Sequence, residues 1–553
     1  MKPKGVFGLD VVIFKARGRG GYIYDMSINP LVDFSILKRT RKIDKIEVIT
    51  PKISIEKAEI ILKSIYGVSS IIGKLISSQD YMINNILRKN DVKKIKYEIN
   101  NGIEIPSPQK IASVEEIIVG KILSLEKLLG IKDKLGITSE EMTIIIQTLY
   151  CQRRIKMTCA IHKVKNKHTC FICNREPCPS CTLGIEKDDI LVYAADNYSI
   201  SIPENIILKD KRLSDVIKDA QNDFTNFLKS KKLSCVIWCA PSAFEYDIVS
   251  TGVFNIIRRG GRVLYITSTA MAYSTKEFFG NNFYGAKVGI VTNVFSRGEN
   301  LDITICSYDN YPCFYKSFDL VILDVRYSFI YRPMINTKYV CPKAAKEKGK
   351  FVTISYVVEK EKNSLINTTT DPLILPVTYI KKPIPEPRII TSRYLKSPEA
   401  FIPQMAMDLI NWSISEGIRV VIFVPDEEGL YKVYFYLSTL EGFEKDSIDV
   451  SDEDEKAGLL RFKRKESKIL ISKDFKDTLH LMEDVNVVVM FSDEGIYSTE
   501  TLIYMSSMAT MQNNKKLGEV VFVATQESEA MSLAKSAIRN LNKIAWDKGY
   551  LKK

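Results

Sequence analysis

Four cysteines within a dozen positions are the clearest chemical signal in the chain. Cys170 and Cys173 form one Cys-x-x-Cys turn, Cys178 and Cys181 form another, and four residues separate the two pairs. Each turn aims two thiolates at one point, and two turns supply the four-sulfur tetrahedron that zinc prefers, at about 2.3 Å per bond. With every position filled by sulfur there is no place for an activated water, so the expected zinc is structural. The other seven cysteines are scattered, which favours a metal site in a reducing compartment over a disulfide framework. His162 and His168 are near enough to replace a sulfur, but they sit among Lys163, Lys165 and Lys167, where a solvated or phosphate-facing role is expected. Cys151 and Cys159 would join only by rearranging the site.

A second stretch has the layout of phosphate chemistry without its residues. From Ser234 the chain reads SCVIWCAPSAFEYDIVSTGVFNIIRRGGRVLYITS, a strand, a loop, a crossover helix and a second strand. A working phosphate loop needs glycines so that backbone N–H groups can cradle the anion, then Lys, then Ser or Thr for magnesium. Here the loop reads APSAFEY, with no glycine and no lysine and with an acidic residue leading into the helix. Exchanging Lys for Glu is a swing of roughly 8 kcal/mol for one charge pair at 4 Å and effective dielectric 20. A millimolar ligand has only about 4 kcal/mol to lose, so weak or absent binding of ATP and magnesium is expected.

The elements that must position these groups follow from length and pattern. At 553 residues the chain is expected to hold three or four domains. Residues 1–150 alternate short β-like runs with helical ones and read as a small α/β accessory module, in which Ile60, Ile61, Ile65 and Val68 form a helical core stripe. Residues 151–190 carry the cysteines. Beyond them, apolar runs at 235–240, 262–268, 287–292, 301–307, 318–324 and 350–358 predict one parallel sheet across 191–375. Four prolines in 376–390 suit an extended connector, and runs at 419–425, 468–472, 485–491 and 519–524 predict a second sheet in 391–553.

Composition, 45% hydrophobic and 26% charged, is that of a globular protein. Lys and Arg outnumber Asp and Glu by 79 to 66, giving a formal charge of +13 that makes a polyanion the natural partner class. Lys163, Lys165, Lys167, Arg175, Arg258 and Arg259 are the candidate nucleic-acid contacts. No apolar stretch reaches the length of about 18 residues that would span a bilayer, and the N-terminus lacks a signal peptide's apolar core. A cytoplasmic protein is expected, with contact at the inner face of the membrane compatible with it.

The order of these features resembles the ComFA family of competence helicases, which place a cysteine module ahead of a two-lobed motor. Where that family has W-x-x-T-G-x-G-K-T-E, Trp238 persists, while the resemblance puts Ser242 and Phe244 at the glycine positions, Glu245 at the lysine and Tyr246 at the threonine. Where it has F-D-x-V-I-I-D-E-V-D-A-F-P-Y, residues 318–331 read FDLVILDVRYSFIY; Asp324 is kept and Val325 replaces the Glu that polarises the attacking water. Where it ends in A-L-V-Q-I-A-G-R-V-G-R, residues 501–511 read TLIYMSSMATM, so that Met508 and Met511 replace both arginines. Such arginines can be worth about 10³ to 10⁵ in phosphoryl-transfer rate. The preceding T-T-I-L-E-R-G-V-T is also lost, with Thr478 and Leu479 at its Arg and Gly. PIPEPR (383–388), VIFVP (421–425) and the helix from Glu529 resemble the family's linker, fourth motif and C-terminal helix. The resemblance runs from about residue 140 to 549. It implies two RecA-like lobes with parallel sheets behind a zinc knuckle, single-stranded DNA as partner, and a phosphoribosyltransferase-like protein and the membrane uptake channel as neighbours.

The expected function is a helicase homologue with a degenerate, catalytically inactive motor, binding single-stranded DNA or serving assembly in DNA uptake. The alternatives are an active ATP-dependent helicase or translocase and a protein-binding scaffold without nucleic acid.

Overall fold

Strands that are apolar at every position are strands covered on both faces, which is what helices on either side of a parallel sheet require. In the computed structural model, Val263–Thr267 and Val485–Met490 are buried along their whole length. The structure describes residues 10–18, 21–69, 76–159, 162–164, 167–169, 190–196, 205–241, 245–292, 301–308, 311, 314–326, 341–358, 371–396, 402–440, 445–451, 457–473, 484–510 and 518–551.

The first lobe is a seven-stranded parallel sheet in the order Val288–Ile290, Ile303–Ser307, Val263–Thr267, Phe318–Asp324, Ala345–Ser355, Ser234–Cys239, Leu373–Leu375. The second is a six-stranded parallel sheet in the order Arg388–Thr391, Val520–Ala524, Val485–Met490, Arg419–Phe423, Ile469–Ser472, Ile448–Ser451. Every apolar run that predicts a strand in these lobes forms one. The run at 350–358 is displaced, because its strand starts at Ala345 and stops at Ser355. Three edge strands, Leu373–Leu375, Arg388–Thr391 and Ile448–Ser451, escape the pattern because three or four residues carry no readable period.

Helices begin where short polar side chains cap them. Ser268 accepts from the Met271 N–H, Ser498 from Thr501, Ser528 from Met531 and Asp426 from Gly429. Helix Glu245–Ile257 lies so close to Asp215–Lys229 that a Cβ at Gly252 would stand 2.4 Å from the Phe224 ring, so only glycine fits there. Along Glu529–Asp547, Met531, Ala534, Ile538, Leu541 and Ala545 are buried as one stripe.

The second lobe is bound both to the connector and to the first lobe. Asn542 donates to the Ile384 carbonyl (2.8 Å) and accepts from its N–H (2.9 Å), and Arg539 pairs with Glu386, all within reach of the connector, while Tyr550 donates to Asp219 of the first lobe at 2.8 Å. The buried ring of Tyr356 in the first lobe stacks on Tyr504 in the second, centroids 6.2 Å apart. One apolar core runs through both lobes.

Ahead of the lobes, an antiparallel sheet in the order Gly21–Ser27, Val12–Gly18, Ile46–Val48, Tyr97–Ile99 is covered by helix Pro30–Arg41 on one face and Ile55–Ser69 on the other. Ile61 and Ile65 are buried there and Ile60 half-buried; the Val68 side chain lies outside the described residues. A second antiparallel sheet, Ile122–Ser124, Ile190–Tyr193, Lys156–Cys159, shares that core. Residues 160–189, with the hairpin His162–Val164 and Lys167–Thr169, therefore leave and re-enter at paired positions, Cys159 opposite Ile190.

Within this unit Asp33 is buried, and burial pushes its carboxyl up to about 7, against hydrogen bonds from Cys151, Ser27 and Gln147. A carboxyl whose folded pKa exceeds its unfolded value of about 3.9 holds its proton longer in the folded state, so stability falls as pH rises from about 4 to about 7. In Asp33→Asn, the loss of stability between pH 5 and pH 8, read from denaturant melts, should shrink by at least about 1 kcal/mol. An unchanged pH profile would count against this burial.

Candidate functional site: the carboxyl edge of the first lobe

Parallel pairing brings the carboxyl ends of Ser234–Cys239, Val263–Thr267, Phe318–Asp324 and Ala345–Ser355 to one edge, where open α/β sheets bind their ligands. Trp238 has a structural task at that edge, its indole N–H donating to the Tyr356 carbonyl at 2.8 Å. Ser242 and Phe244 lie outside the described residues. Glu245 opens helix Glu245–Ile257, and its side chain also lies outside them.

Tyr246, in the first turn of that helix, is turned into an aromatic cluster. Its ring lies 4.8 Å from Phe278 and 5.9 Å from Tyr265, Tyr265 lies 5.8 Å from Phe279, and its hydroxyl is 3.1 Å from the Thr275 hydroxyl. Burial pushes the Tyr246 phenol well up, so it is a neutral packing group at any ordinary pH.

Asp324 ends its strand fully buried, and both of its oxygens are taken. Arg326 donates Nε–H to Oδ1 at 2.8 Å, Nη2–H to Oδ2 at 2.5 Å and its backbone N–H to Oδ1 at 3.2 Å, and Tyr265 donates to Oδ2 at 2.9 Å. Burial pushes the Asp324 carboxyl up to about 7, while the Tyr265 hydroxyl and the Arg326 N–H pull it down. The two-pronged guanidinium contact acts in the same sense as those donors. Arg326, in the sequence no more than a substituted position, is itself fully buried. Its only outward sign is an Asp-x-Arg spacing at the end of an apolar strand, which does not reveal that the side chain turns inward. Val325 is half-buried and holds its strand end by an N–H to Ile354 carbonyl bond of 3.0 Å.

Among the described residues of this edge, the Asp324 carboxylate is held by a permanent cation of the same chain, and aromatic rings pack around Tyr246. Beside them, burial pushes the Cys239 thiol up to about 12.

Met508 ends helix Thr499–Met508 buried in the shared core; Met511, Thr478 and Leu479 lie outside the described residues. Arg258 and Arg259 are exposed on the turn after helix Glu245–Ile257, a helix length of about 20 Å from the loop before it and at the opposite edge of the sheet. Lys163 and Lys167 fall on the hairpin strands with side chains outside the described residues, as are Lys165, Arg175 and the four cysteines Cys170, Cys173, Cys178 and Cys181. Cys151 and Cys159 each face a carboxyl, donating to Asp33 at 3.0 Å and Glu59 at 3.5 Å, and burial pushes both thiols well up. Among the described residues no three His, Cys, Asp or Glu side chains form a metal-ligating set, and no helix is long and apolar enough to cross a membrane.

No family model matches the chain. It is similar to the competence protein ComFA of Bacillus subtilis (strain 168), 22% identical over 379 residues, which is 67% of this chain and 81% of that protein. It also overlaps the solved structure of RecG bound to a three-way DNA junction, at 14% identity and a TM-score of 0.38, over 61% of this chain and about half (47%) of the other. The chain thus has two parallel α/β lobes and is similar to that competence protein along most of both sequences.

Proposed function

We propose that this chain is a helicase homologue of the competence system whose motor has become a static scaffold. It binds single-stranded DNA, or holds partners around it, without turning over ATP. The observation that carries the reading is the buried Asp324–Arg326 pair, because it commits the remaining acidic group of the motor to an internal cation. The Tyr246 cluster and the stacking of Tyr356 on Tyr504 favour the same conclusion. A cleft cycled by nucleotide needs lobes that separate, and these share one core. Arg258 and Arg259 are the exposed lobe positions assigned to phosphate contact, and Cys170, Cys173, Cys178 and Cys181 are assigned to a structural zinc.

One sample tests both assignments. Calorimetry with a non-hydrolysable ATP analogue and magnesium should give no binding heat up to millimolar ligand, and metal analysis should give one zinc per chain. Saturable nucleotide binding would reinstate the active translocase; absence of zinc would remove the knuckle while leaving the motor reading intact.

A further inference from the structure

Charge is distributed very unevenly. The first hundred residues hold 19 Lys and Arg against 10 Asp and Glu, so nine of the thirteen excess positive charges lie in less than a fifth of the chain. The imbalance is sharper at the surface, because Asp33 is buried and Asp25 is largely so, engaged with Tyr150 and its own neighbour's N–H.

The fold gathers part of this excess at one end of the N-terminal sheet. Strand Val12–Gly18 ends with Arg17 exposed opposite Tyr22, and Ala16 pairs with Ile46, one residue after Lys45. Helix Pro30–Arg41 ends at the same place with Lys38, Arg39 and Arg41 exposed, and Lys42, in the left-handed conformation at φ 53°, turns the chain back towards Ile46. Lys45 is paired with Glu98 at 2.9 Å, and Asp44 is the one acid within the stretch. Among the described residues Arg17, Arg39, Arg41 and Lys42 make no ion pair. The half-exposed Tyr66, on the helix of the other face, donates its hydroxyl to the Tyr24 carbonyl.

Basic residues in a last helical turn complement the helix dipole, which accounts for Lys38, Arg39 and Arg41 at a few tenths of a kcal/mol each. It leaves Arg17 and Lys42 unexplained. We propose that Arg17, Arg39, Arg41 and Lys42 form a second nucleic-acid contact surface, taking the phosphate backbone of a single strand. Guanidinium groups bind phosphate in a planar, two-pronged way. A membrane surface is the poorer match. Helix Pro30–Arg41 spends Phe34 and Leu37 on the sheet, its exposed Leu31 stands at the other end of the helix from Arg39 and Arg41, and the exposed rings nearby are tyrosines rather than an insertable Phe or Trp face. The surface is separate from Arg258 and Arg259, but rests on the reading that the chain binds nucleic acid.

The test uses the full chain, a fluorescent oligonucleotide of about 30 nucleotides and anisotropy across a range of salt. Arg39→Glu/Arg41→Glu/Lys42→Glu should weaken binding at least tenfold at low salt, and flatten the plot of log affinity against log salt by about 2, at roughly 0.7 per phosphate contact on a single strand. If the reversal variant melts earlier than the parent, Arg41→Gln/Lys42→Gln serves in its place with a proportionally smaller change. Parent-like affinity and slope, with Arg258→Glu/Arg259→Glu weakened, would overturn this surface and spare the functional reading. A parent that binds no oligonucleotide would overturn both. Loss of binding to phosphatidylserine–phosphatidylcholine vesicles with oligonucleotide binding intact would assign the surface to membrane instead.

Discussion

Replacing Arg326 with Met should cost about 3–5 kcal/mol of stability at neutral pH, the usual loss when one partner of a buried ion pair is removed and the other is left behind. Asp324 then sits fully buried with Tyr265 and a backbone N–H as its remaining donors. Its carboxyl, already pushed up to about 7, rises further. Parent and variant both hold a proton that the unfolded chain releases near pH 4, so the deficit stays level up to about pH 7 and grows above it, where the parent's Asp324 ionises and the variant's does not. Urea melts of Arg326→Met at pH 5 and pH 8 read this directly. Replacing the whole polar set, with Asp324→Leu and Tyr265→Phe added, should recover most of the loss, because apolar residues of similar volume often serve as well as a buried pair. None of these variants should gain affinity for a magnesium nucleotide. A gain in Arg326→Met would mean that the arginine blocks a site still intact, and the static-scaffold reading would fall.

The second large effect concerns the junction of the lobes. Tyr504→Ala removes a buried ring stacked on Tyr356, and large aromatic truncations in a core typically cost about 3–5 kcal/mol. Because this ring spans the two sheets, the loss should also show in cooperativity. The parent lobes should melt together, and the variant in two calorimetric transitions separated by several degrees. A single transition shifted as a whole would place Tyr504 in the second lobe's own core and remove the argument that the lobes are locked.

The lobes were legible because parallel strands are buried on both faces, so uninterrupted runs such as FDLVILD and VNVVVMF advertise themselves. Edges were not, because Ile448–Ser451 and Leu373–Leu375 are too short for a period. At the site, the sequence could report losses, Glu245 for Lys and Tyr246 for a small hydroxyl residue, since those follow from charge and size alone. It could not report gains. That Tyr246 meets Tyr265 and Phe278, 19 and 32 residues along the chain, or that the neighbouring Asp324 and Arg326 face inward with the Tyr265 hydroxyl, 59 residues from Asp324, depends on contacts between elements that no local pattern encodes.

The ladder that leaves at Cys159 and returns at Ile190 has a consequence for how this protein can change. Its rungs already hold the two ends of the intervening segment together, so the entropic penalty of closure scarcely depends on what lies between them. Doubling the length of the excursion would add only about 0.6 kcal/mol. Insertions, deletions or exchanges between Cys159 and Ile190 can thus accumulate over generations while the sheet that fixes both ends keeps its shape.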